Sequence, residues 1–166
     1  MAEPKVWTFF YGSYINPNVL REVEYVPDQV EVARLAGFDI RVRPRANLVR
    51  SDEHLVYGIL ATGTHRELGR LYEHAKDVLG EVYLPEAVLA QTLEGKLRPA
   101  LCYICPAMAD RPASTITSIE LFCRLGSMVS QRGISSVWRG FAPEHRDPNA
   151  RDGRSAVHPI AARELC

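Results

Sequence analysis

Cysteine is scarce in this chain, net charge is absent, and no apolar run is long. Of the 166 residues four are cysteine: Cys102, Cys105, Cys123 and Cys166. Cys102 and Cys105 have the C-x-x-C spacing, but "ALCYICP" reads as a buried strand, on which they face opposite sides. A zinc site needs two further ligands, and the sequence has no second C-x-x-C and no H-x-x-x-H pair. The expectation is therefore no metal, and two small apolar core residues. The 20 basic and 20 acidic side chains cancel, which removes the electrostatic case for nucleic acid or an anionic membrane as partner. "RVRPRANLVR" (Arg41 to Arg50) is a local basic cluster and reads as solvated surface. No apolar run approaches the roughly 20 residues of a bilayer span. The start, "MAEPKVW", lacks the basic and apolar regions of a secretory signal, so the expected location is the cytoplasm.

What is present is core: 46% of the residues are hydrophobic, enough for one globular domain. Strands are expected at Val6 to Tyr11, in two pieces across Val30 to Val42 broken at Ala36-Gly37, and at His54 to Thr62, where Gly58 marks a close backbone approach. Glu81 to Leu93 and Leu97 to Pro106 flank the turn signal Glu94-Gly95 and read as a hairpin. Thr64 and Glu67 form a capping box ahead of a helix that carries Leu68, Leu71, Tyr72, Ala75 and Leu79 at helical spacing and stops at Gly80. A second helix is expected over Ser118 to Gly133 and a short third piece over Ser135 to Phe141. Strands without regular β-α-β alternation argue for an α+β fold, a small mixed, twisted, barrel-like sheet with two or three packed helices. One domain is expected over 1–143 and a polar tail over 144–166.

The stretch "TFFYGSYINPNVL" (Thr8 to Leu20) sends a strand into a Gly-Ser corner and then a helix start at Asn16-Pro17. This pattern, with "ARLAGFDIRV", "LVYGIL", "ELGRLYEHA", "EVYLPEAVLA", "PALCYICP" and "CRLGSMVSQRGISSVW" following in order, resembles the γ-glutamylcyclotransferase-like superfamily from Val6 to Phe141. The resemblance implies a mixed barrel with packed helices and cyclisation of a γ-glutamyl group to 5-oxoproline with release of its amine. It implies a small-molecule γ-glutamyl ligand and no cofactor, and leaves the oligomeric state open. The ligand's glutamyl end falls to Tyr11, Gly12, Ser13 and Tyr14, with Tyr83 lining the pocket.

Two departures stand out. Tyr14 follows Tyr-Gly-Ser where many members carry asparagine or leucine. The position of the family's acid/base glutamate, aligned on "LYEHA", is Ala75, which moves no proton. Counting back from Tyr83 brings Asp77 to the expected place instead, with Glu73 one helical turn before it on the same face. These two are the catalytic candidates; Glu81 and Glu86, either side of Tyr83, are further carboxylates, and His74 is a base within the same helix. Ser13 lacks the G-x-S-x-G elbow and is not read as a nucleophile. Arg139 is available to pair with a carboxylate. The rival expectation is a non-catalytic binding protein on the same fold, with Ala75 as its mark.

Overall fold

The computed structural model describes residues 3–42 and 45–107. Strand β1 (Lys5–Phe10) leads through a 3-10 turn (Gly12–Ile15) into α1 (Pro17–Glu22). Strands β2 (Val30–Val42) and β3 (Ala46–Thr64) form a long hairpin, α2 (His65–Leu79) follows, and β4 (Leu84–Thr92) and β5 (Leu97–Ile104) form a second hairpin. The five strands close into a barrel in the order β1-β3-β2-β4-β5. The neighbours run antiparallel except at the seam, where β1 lies parallel to β5 with Thr8 opposite Leu101 and Phe9 opposite Cys102. The α+β, mixed barrel expected from the pattern is the architecture found. The segments Ser118 to Gly133, Ser135 to Phe141 and the tail from 144, with Cys123, Trp138, Arg139, His145, His158 and Cys166, lie outside the described residues.

Strand alternation divides the core in two. Phe9, Tyr11, Leu35, Phe38, Leu48, Leu60 and Cys102 pack together with Ala33, Ala90 and Ala100 as one cluster. The intervening side chains, Phe10, Ile59 and Tyr103 among them, pack with Leu20 of α1 and Leu68 and Leu71 of α2 as a second. A period of two thus supplies both clusters from the same strands, and the helices cover one of them.

Gly58 is bare for a steric reason. A Cβ there would sit 2.3 Å from the Phe10 carbonyl oxygen and 2.6 Å from the Phe9 ring. The chain between Val30 and Val42 is one strand rather than two pieces, because Gly37 at φ +83° takes up a β-bulge between Ala36 and Phe38 and pairing resumes beyond it. Strand β3 starts at Ala46, eight residues before the expected His54, since Ala46 to Arg50 pair with Phe38 to Val42 while Asp52, Glu53 and His54 face solvent. Charged residues on the wet face mask a strand whose other side buries Leu48.

Helix α2 has the ends its sequence announces. The Glu67 N–H donates to Thr64 Oγ1 at 3.2 Å and the Thr64 N–H to Glu67 Oε2 at 2.8 Å, while Gly80 closes the helix at φ +71° with its N–H on the Lys76 carbonyl. The Thr64 hydrogen bonds hold the Glu67 carboxyl below its ordinary range. Beyond Gly80 the strand does not begin at Glu81 as expected. Glu81, Val82 and Tyr83 form a connection, and β4 starts at Leu84.

Candidate functional site

The end of β1 delivers Tyr11 into the core, and Gly12 turns the chain at φ +66°. A Cβ on Gly12 would lie 3.0 Å from the Ala46 Cβ, so the loop rests directly on the start of β3. Asn16 caps α1 by accepting the Asn18 N–H at 2.9 Å, with Pro17 preset for the first helical turn. This fixes the exit of the loop. Ser13 is exposed at its crest and Tyr14 is half-buried beside it.

Three more tyrosines gather on this loop, with a thiol and a carboxyl group next to them. The Tyr11 hydroxyl donates to the Tyr103 carbonyl at 2.7 Å, and the Tyr83 hydroxyl donates to the Ala46 carbonyl at 3.1 Å. The Tyr72 ring of α2 stacks on Tyr103 with centroids 3.6 Å apart and meets Tyr14 edge-on at 6.1 Å and Tyr83 at 6.2 Å. Asn47 of β3 clamps the chain just past β5: its Nδ2 donates to the Cys105 carbonyl at 2.8 Å and its Oδ1 accepts the Cys105 N–H at 3.0 Å. The clamp sets the Cys105 thiol 3.9 Å from Glu81 Oε2, to which it donates. Glu81 is only 7% exposed.

Electrostatics sort these groups by role. Burial pushes the Tyr11 phenol above its ordinary range, and Cys102, Tyr83 and Cys105 add to this. Burial also raises Tyr72, Tyr14 and Tyr103. Tyr83 is raised by burial and then by Cys105 and Glu81, with Arg45 opposing. Burial pushes the Cys105 thiol up, and the adjacent Glu81 adds to it. Burial and Glu86 push Cys102 up to about 12. At neutral pH the phenols and both thiols are therefore protonated, and are neither thiolate nucleophiles nor bases. The carboxyl group of the cluster is that of Glu81, the residue type that serves as a general acid or base.

No family model matches the chain, and no curated protein matches it. Solved structures do. An uncharacterized human protein is 18% identical, with a TM-score of 0.61 over 93% of this chain and 95% of that one. A γ-glutamyl cyclotransferase is 19% identical, with a TM-score of 0.59 over 90% of this chain and 94% of that one. An Arabidopsis thaliana protein is 17% identical, with a TM-score of 0.53 over 98% and 97%. The fold is γ-glutamyl cyclotransferase-like.

In this γ-glutamyl cyclotransferase-like barrel the residues expected from sequence divide. Tyr11, Gly12, Ser13 and Tyr14 form one loop, and Tyr83 reaches it through Ala46. Glu73 and Asp77 are not brought to it. Both are exposed on α2, as is His74, while Ala75, 2% exposed, occupies the inward position. The cause is periodicity: at about 100° per residue, the face built from Leu68, Leu71 and Ala75 leaves Glu73 and Asp77 on the far side. Glu86 is on β4 and is paired with Arg50. From sequence Glu81 is a carboxylate flanking Tyr83 on an expected strand, behind Asp77 and Glu73 as a candidate. The Gly80 turn and the i, i+2 relation of Glu81 to Tyr83 are the signals that identify it. Among the described residues no group of His, Cys, Asp and Glu is arranged to hold a metal, and no helix is long and apolar enough to cross a membrane.

Proposed function

We propose that the chain is a γ-glutamyl cyclotransferase that converts a small γ-glutamyl compound to 5-oxoproline and a free amine. The observation that carries this reading is the buried Glu81 carboxylate, which accepts from the Cys105 thiol and acts electrostatically on Tyr83, a phenol that also feels Tyr14 of the loop. The reaction is intramolecular. The ligand's α-amine attacks its own γ-carbonyl carbon, the C–N bond to the departing amine breaks, and a five-membered lactam forms. Holding the amine against the carbonyl supplies much of the rate. One proton leaves the attacking nitrogen and one reaches the departing nitrogen, and Glu81 performs both transfers in turn. Glu73 and Asp77, the carboxylates first expected in this role, are replaced by Glu81 in the proposal because their side chains are exposed on α2.

A second reading, ligand binding without turnover, draws on Ala75 in the inward position of α2. One experiment separates them: incubation with γ-glutamyl amines, γ-glutamyl dipeptides and glutathione, with 5-oxoproline followed by mass spectrometry. Product from any of them supports the enzyme. Absence of product from all, with a ligand that raises the melting temperature, supports the binder.

A further inference from the structure

The two cysteines of "CYIC" have different surroundings. Cys102 packs in the first core cluster, whereas Cys105 lies just past β5 and sets its thiol on a carboxylate oxygen of Glu81 at 3.9 Å. Both partners are buried, Cys105 at 4% and Glu81 at 7% exposed. The thiol is fixed from two directions. Asn47 of β3, also buried, accepts the Cys105 N–H at 3.0 Å and donates to its carbonyl at 2.8 Å. Leu84 pairs with Ile104, so the chain just before β4 runs beside the chain just past β5. The backbone N–H groups of Val82 and Ala107 bear on the sulfur, which directs its proton to Glu81.

Glu81 needs such a contact. It stands in the connection between α2 and β4, where neither a helix nor a strand ladder orders the backbone. A glutamate side chain has three rotatable bonds, and ordering it takes partners for its carboxylate. The sulfur also acts on the Tyr83 and Tyr11 phenols, so Cys105 joins the carboxylate to the tyrosines around the loop.

We infer that Cys105 is a positioning residue: its thiol, set in place by Asn47, holds the Glu81 carboxylate in one orientation for proton transfer. The inference rests on the cyclotransferase reading. A hydrogen bond donated to a carboxylate favours its ionised form, so the contact also keeps the group able to accept a proton. A thiol is a weak donor, and the expected effect is about three- to tenfold.

The test compares the wild type, Cys105→Ala and Cys105→Val on the γ-glutamyl amine or dipeptide turned over fastest, at a temperature below every melt. Alanine removes the donor and leaves a gap; valine removes the donor and fills the gap. Both are expected to lower kcat by about three- to tenfold with KM within about twofold. Both are also expected to move the acid limb of the kcat/KM–pH profile upward by about half a unit or more. Wild-type kcat in Cys105→Val, or an unmoved acid limb in both variants, overturns the inference and leaves Cys105 a packing residue. If the wild type turns over none of these compounds, the cyclotransferase reading fails, and the S–H infrared stretch decides about the thiol separately. The band lost in Cys105→Ala belongs to Cys105. Its displacement in Glu81→Ala upholds the hold on the carboxylate; an unchanged band overturns it.

Discussion

Replacing Gly12 by alanine strains the loop in two separable ways. The first is conformational: at φ +66° a β-carbon meets its own backbone, which costs about 1–2 kcal/mol. The second is contact: the new methyl arrives 3.0 Å from Ala46 Cβ and forces the loop and β3 apart, an overpacking term of about 1–3 kcal/mol. The sum is about 2–5 kcal/mol. Gly37 supplies the control. It has φ +83° but nothing within 4 Å of an added Cβ, so Gly37→Ala carries the conformational term alone, about 1–2 kcal/mol. Urea unfolding of both variants measures the difference. Gly12→Ala is expected to be the less stable by about 1 kcal/mol or more, and to lose ligand binding as well, because the displaced Ala46 is also the acceptor of Tyr83. Equal destabilisation of the two variants would show that the loop is not seated on β3, and the geometry argued for the site would fall with it.

Other outcomes follow from the same contacts. Asn47→Ala removes both hydrogen bonds to Cys105 and leaves its buried backbone groups unpaired; it is expected to lower stability by about 2–4 kcal/mol in denaturant titration and to loosen Glu81. Thr64→Ala removes the cap of α2 and is expected to lower stability by about 1 kcal/mol, with turnover unchanged. Cys102 gives a pH dependence. Burial holds its folded pKa at about 12, above the ordinary thiol value of 9.0, so the folded chain keeps a proton that the unfolded chain releases. Stability is therefore full below pH 9 and falls as pH rises toward 12, by up to about 1.4 kcal/mol per unit. Urea midpoints at pH 8.5 and pH 10 are expected to show the fall, and Cys102→Ala to reduce it, the raised Cys105 thiol supplying the remainder.

Much of this was legible in local chemistry. The Thr64–Glu67 box, the Gly80 stop and the turn at Gly95 (φ +85°) depend on a few neighbouring residues, and those residues were in the sequence. Gly58 likewise announced a close approach. The extent of β3 was hidden because its first residues put charges on a wet face. The parallel seam of β1 on β5 was hidden because no local pattern encodes a pairing between residues so far apart in sequence. The site shows the same divide. The loop from Tyr11 to Tyr14 was readable, whereas the burial of Glu81 depends on a turn at one end of α2, an asparagine clamp from β3 and a thiol past β5. The exposure of Glu73 and Asp77 follows from the helical period, whereas their distance from Tyr83 along the chain says nothing about where their side chains point.

The most direct test of the account compares 5-oxoproline formation by the wild type, Glu81→Gln and the double variant Glu73→Gln/Asp77→Asn on a γ-glutamyl substrate, with folding checked by thermal melts. The account predicts that Glu81→Gln lowers kcat by at least about 100-fold while the double variant stays within about twofold of the wild type. Retained turnover in Glu81→Gln, or loss of turnover in the double variant, would contradict it.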